Sequence, residues 1–149
     1  MPTRLDKTAL LDRVTALCLA LPEAERTLRG SHADFRVRKK PFAYFLDDHH
    51  GDGIVSVCCR TELGENVDRA GRDPERFYLP AYIGKRGWVG LRLDVQHVDW
   101  RDIGSAITHS WRLAAPATLV ARLDATPPAD EPGSDARPAS ARAMRAARR

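Results

Sequence analysis

Long apolar runs are absent from this chain. Nothing approaches the roughly 20 consecutive apolar residues that a bilayer-spanning helix needs, so no membrane partner is expected. The opening Met1-Pro2-Thr3-Arg4-Leu5-Asp6 has no apolar signal core, so no secretion is expected. Cysteine is scarce, at three residues, and Cys58 and Cys59 are neighbours on an expected strand. Neighbours on a strand point to opposite faces, which argues against a disulfide; unpaired thiols fit a reducing cytoplasm. No Cys-x-x-Cys pair, zinc-ligand spacing or glycine-rich strand-to-helix loop occurs. Ser31-His32 and Thr108-His109-Ser110 contain a nucleophile and a base, but no pattern joins them to an orienting acid. His32 is expected to satisfy backbone groups near Gly30. The expectation is therefore no catalytic residue, no metal and no cofactor.

What the chain does contain is a globular balance: 43% hydrophobic and 30% charged residues in 149, enough for one core. The formal net charge of +4 is unevenly placed. Nineteen cationic and nineteen acidic side chains precede Pro132, whereas five arginines and one aspartate follow it. A neutral domain, residues 1–124, is thus expected to carry a basic Pro/Ala/Arg-rich tail, residues 125–149. The tail has almost no large apolar residue to offset its ordering entropy and is expected to be disordered.

Leu10, Leu11, Val14, Leu17, Cys18 and Leu21 recur at helical spacing, with Thr3 as the expected cap and Pro22 as the stop. Strands are expected at 25–29, 35–38, 42–46, 54–60 and 88–94, separated by turn residues. In the last of these, Val89, Leu91 and Leu93 share one face, leaving Trp88, Arg92 and Asp94 on the other. Residues 61–70 read as a helix ending at Gly71, residues 78–83 as extended, and Gly84-Lys85-Arg86-Gly87 as a tight turn. Asp99 is expected to cap a helix carrying Trp100, Ile103, Ile107 and Trp111, and Pro116 to open a last helix. The order predicts an α+β two-layer sandwich: an antiparallel β-sheet with helices packed on one face and the other face partly open.

Several segments together carry a resemblance to a known family. They are residues 19–24 (LALPEA), 32–43 (HADFRVRKKPFA), 79–93 (LPAYIGKRGWVGLRL), Asp99-Trp100 and 110–116 (SWRLAAP). Across residues 8–124 the chain resembles the MmcQ/YjbR family of small bacterial proteins; it departs at Trp111, where tyrosine is expected. The resemblance implies a CyaY-like (frataxin-like) sandwich and DNA binding through two basic β-hairpin wings. Frataxin-like proteins raise the question of iron, but Asp6 and Asp12 alone make no acidic ridge on the first helix. Asp47, Asp48, His49, His50 and Asp52 read as a solvated loop, because adjacent histidines on an extended chain point apart.

Arg36, Arg38, Lys39 and Lys40 cluster at one expected hairpin, and Lys85, Arg86 and Arg92 at another, with Trp88 beside them. Cations at hairpin tips either pair with phosphates or guard strand edges against pairing. Trp88 and Arg92 on one face either stabilise each other by cation–π contact or form a stacking platform. The leading expectation is a monomeric, non-enzymatic module binding nucleic acid, as duplex DNA with low sequence specificity. The alternative is a small-ligand or protein-binding module using the open sheet face around Tyr82, Trp88 and Arg92. A closed concavity lined by Trp88, Tyr82 and His32 would favour the small ligand.

Overall fold

The computed structural model describes residues 6–125. The expected Thr3 cap and all of the expected tail beyond Ala125 lie outside the described residues. Within them, helix α1 spans Lys7–Leu19, followed by strands β1 (Ala24–Arg29), β2 (His32–Val37), β3 (Lys40–Asp47) and β4 (Val55–Arg60). Helix α2 (Glu65–Arg72), strands β5 (Phe77–Tyr78) and β6 (Trp88–Arg92), and helices α3 (Trp100–Ala114) and α4 (Ala117–Ala125) complete the domain. All strand pairs are antiparallel, in the order β1-β2-β3-β4-β6-β5.

The local starts and stops have identifiable causes. The Asp6 carboxylate accepts from the Ala9 N–H at 3.0 Å, so α1 begins three residues later than a Thr3 cap implies. Helix α2 also begins late. The Thr61 N–H and hydroxyl both donate to the Gly87 carbonyl at 2.8 Å, which ties residue 61 to the start of β6 and keeps it out of the helix. Gly64, at φ 94°, opens α2, and the helix continues through Gly71, which is not its cap. The Asp99 carboxylate caps α3 by accepting from the Asp102 N–H.

Strand and helix periodicities meet as expected. Val89, Leu91 and Leu93 pack in one core with Val14, Ile103 and Ile107, and Leu10 and Leu17 lie against it. Each fully buried aliphatic side chain stabilises by about 1.5–3 kcal/mol. Between β2 and β3 the pairing steps from Phe35–Ala43 to Arg36–Pro41, leaving Phe42 as an extra residue. Ser110 on α3 satisfies this irregularity: its hydroxyl donates to the Phe42 carbonyl at 2.6 Å and accepts from the Arg60 N–H at 2.8 Å.

The sheet face away from the helices is less open than the sequence suggests. Leu46, Cys58 and Trp88 form a second buried cluster there, covered by Tyr44 and Ile83. The Tyr78 ring lies directly on Gly90, where any Cβ would stand inside it. Its hydroxyl meets the Ser56 hydroxyl at 2.7 Å. Cys58 and Cys59 do point to opposite faces, one into each cluster. No helix among the described residues is long and apolar enough to cross a membrane.

Candidate nucleic-acid interface

Antiparallel topology decides which charges share a place. The end of β2, the start of β3, the end of β4 and the start of β6 all lie at one end of the sheet. That end carries the Arg38-Lys39 turn, Lys40, Arg60 and the 3-10 turn Gly84–Arg86. With strands roughly 4.8 Å apart, β3 to β6 spans about 10 Å. Lys39, Lys40, Arg60, Lys85 and Arg86 are exposed there. None of these five makes a salt bridge among the described residues. Arg60, Lys85 and Arg86 also share an open groove of about 590 Å³ with Leu63 and Leu113, in which Glu62 is the acid.

The other expected contacts are placed differently. Arg36 is held by Asp34 at 2.9 Å and donates to the Lys39 carbonyl at 3.1 Å, bracing the turn. Arg38 forks onto Glu23 at 2.6 and 3.1 Å. That hydrogen bonding holds the Glu23 carboxyl below its ordinary range, with the Arg122 charge adding to it. Arg38 and Lys39 have φ of 49° and 70°, the pair of left-handed residues a tight two-residue hairpin requires.

Three expectations need correction. Arg92 does not belong with Lys85 and Arg86: it ends β6, four residues and about 13 Å from Trp88, and forks onto Asp94 at 2.9 and 3.0 Å. Burial opposes the Asp94 charge, but hydrogen bonds from Arg92 and the Val55 N–H outweigh it and hold the carboxyl low. Trp88 is 6% exposed and packs against Tyr44, ring centroids 5.0 Å apart with planes tilted by 42°, so it supports the sheet end without offering a free face to a base. Residues 78–83 are not extended throughout: only Phe77–Tyr78 pairs as a strand, and Pro80–Ile83 turns over the outer face, while the expected Gly84–Gly87 turn is present, closed by the Gly87 N–H donating to the Gly84 carbonyl at 3.2 Å. Arg60 went unremarked in the sequence because it reaches this place through β4–β6 pairing across an intervening helix and strand, which no local pattern announces.

The remaining candidates are structurally employed. His32 Nε2 bonds the Asp47 carbonyl at 2.8 Å, a backbone group on β3 and not one near Gly30. In the acidic loop, Asp47 pairs with Lys7, Asp48 accepts from the Gly53 N–H, and Asp52 accepts from the Ile54 N–H. No group of three or more potential ligands is placed to hold a metal ion among the described residues. Burial pushes the Cys58 thiol up to about 12 and raises Cys18 and Cys59 as well, which makes all three poor nucleophiles.

No curated protein matches this chain. Among solved structures, it is similar in fold to the Deinococcus radiodurans protein DR2400, which carries a DUF419 domain. The TM-score is 0.60 and the identity 18%, over 84% of this chain and 94% of the other. Residues 19–113 match the YjbR family, a span that includes every strand of the sheet and nearly all of α3. The chain belongs to the YjbR family.

Proposed function

We propose that the basic end of the sheet binds the phosphate backbone of duplex DNA, without catalysis and with little sequence preference. The observation that carries this reading is the convergence of Lys39, Lys40, Arg60, Lys85 and Arg86 at one sheet end without internal partners. An unpaired, exposed cation loses no salt bridge when it meets a phosphate, and each contact releases condensed counterions. Roughly 10 Å of duplex carries about six phosphate charges, so a cluster of this breadth meets several at once. Cations that meet phosphates fix register and orientation but carry no base information, which favours positioning over specification. Arg36 and Arg38 stiffen the first tip through Asp34 and Glu23, and Trp88 underpins the second. Titration of two unrelated fluorescent duplexes at low salt tests the reading. Both should bind, within a few-fold of each other; no binding of either, at protein concentrations well above the non-specific range of about 10⁻⁴–10⁻⁶ M, overturns it.

A further inference from the structure

Strand β1 is an outer strand of the sheet, and no described strand pairs with its far side. The other outer strand, β5, has two residues. Strand β1 has six, runs in unbroken register along β2, and contains no proline. Shortness, proline and bulges are the usual guards of a sheet edge, so β1 keeps only its charges for that purpose. Residues 25–29 are all exposed. The β1–β2 turn fixes which backbone groups are free. Arg29 and His32 pair across the two-residue turn Gly30-Ser31, with Gly30 at φ 61°. In such hairpins the flanking residues are hydrogen-bonded to each other. Alternation then turns the backbone groups of Glu25 and Thr27 towards β2, and those of Arg26 and Leu28 towards the open edge. The Ala24 N–H, which also points away from β2, is taken by the Leu21 carbonyl at 3.3 Å.

This edge is complementary to itself. Laid antiparallel on a second copy about a twofold axis at Thr27, Arg26 stands opposite the second copy's Leu28, and Leu28 opposite its Arg26. Each of those pairs can exchange both backbone hydrogen bonds. Glu25 then stands opposite the second copy's Arg29, twice by symmetry, and Thr27 opposite Thr27. These are the non-hydrogen-bonded pairs, where side chains approach most closely. Glu25 makes no salt bridge among the described residues, and Arg29 lies 3.7 Å from the buried Asp34. Arg36 is the β2 neighbour of Glu25, so charges alternate across the join: Arg36 and Glu25 of one copy, Arg29 and Asp34 of the other. On the helix side of the sheet Leu28, 53% exposed, would be covered by the stem of the second copy's Arg26. Sliding the strands by two residues sets Arg26 against itself or moves Glu25 opposite Ser31 in the turn. Sliding by one mismatches the hydrogen-bonding groups.

We propose that two copies of this chain pair through β1, joining their sheets into one, where the sequence suggests a monomer. The twofold axis points the two basic ends in opposite directions and leaves both free, so the dimer is independent of DNA binding. A single strand pair falls short of the roughly 1,600 Å² of a standard interface, which makes the dimer weak and reversible. Sedimentation of the full chain from tens of micromolar to about a millimolar should show monomer giving way to dimer. Glu25→Arg, which opposes like charges at both ends of the contact, should weaken dimerisation at least tenfold. Mixing it with Arg29→Glu should restore a mixed dimer, because each variant then meets the opposite charge; melting curves check that both are folded. Thr27→Cys should oxidise to a disulfide-linked dimer at the axis. Glu25→Cys, about 13 Å from its own counterpart, is beyond disulfide reach and should crosslink at least tenfold more slowly. The natural cysteines are buried and do not compete. A monomer throughout the range, an undiminished dimer in folded Glu25→Arg, or equal crosslinking by Thr27→Cys and Glu25→Cys overturns the proposal. Failure of the two folded charge variants to combine overturns the Glu25–Arg29 register.

Discussion

Replacing Lys39, Lys40, Lys85 and Arg86 together with alanine removes four of the five unpaired cations at the sheet end and disturbs no salt bridge of the described fold. Each phosphate contact contributes about 0.9 to the slope of log K against log salt. The four substitutions should therefore flatten that slope by about 3.6. Between 50 and 200 mM salt, the natural protein should lose about 150-fold more affinity than the variant, from the same slope difference. The arginines after Pro132 are common to both proteins, so their contribution cancels in the comparison. Fluorescence anisotropy at four salt concentrations supplies the slopes. A melting curve checks folding, which exposed substitutions should change by no more than about 0.5 kcal/mol. Arg72→Ala serves as control: this exposed arginine sits on α2 and pairs with Asp68, so its loss should leave the slope unchanged. A slope change below about one for the fourfold variant, or an equal change for Arg72→Ala, would refute the reasoning.

Further outcomes follow from the interior. Ser110→Ala should cost about 1–3 kcal/mol in urea unfolding, because the Phe42 carbonyl and Arg60 N–H both lose a buried partner. Gly90→Ala should cost about 1–3 kcal/mol by driving the Tyr78 ring off β6, and Tyr78→Ala in the same chain should make the glycine replacement nearly neutral. The buried thiols set an alkaline limit. Folding raises the Cys58 pKa from its ordinary 9.0 to about 12, so its protonated form is favoured by the fold. Its stability contribution is full below pH 9 and is lost as pH rises towards 12. The melting midpoint should fall across that window, and a thiol reagent at pH 8 should react only as fast as the chain opens.

The layer architecture was legible because its signals are local and repeat along the chain. Val89, Leu91 and Leu93 alternate at strand period, and Ile103, Ile107 and Trp111 recur at helical period, so each element announces the face it buries. The two tips were legible as charge clusters for the same reason. What stayed hidden depends on contacts between distant segments. Gly71 carries the general signature of a helix end, but Thr61 is claimed by Gly87 and the whole helix moves forward. Trp88 alternates onto the outer face as expected, yet Tyr44 and Ile83 cover it. Arg92 shares a face with Trp88 but lies at the other end of the strand, and strand period says nothing of distance along the sheet. Arg60 joins the site by strand order alone.

Backbone amide mapping of the full chain with duplex DNA tests the central claim most directly. Shift changes at Lys39, Lys40, Arg60, Lys85 and Arg86, with little change at Gly30, Gly53 and Arg92 on the opposite end of the sheet, are the predicted result. Saturating binding that leaves those five amides unmoved, or that moves the opposite end instead, would contradict it.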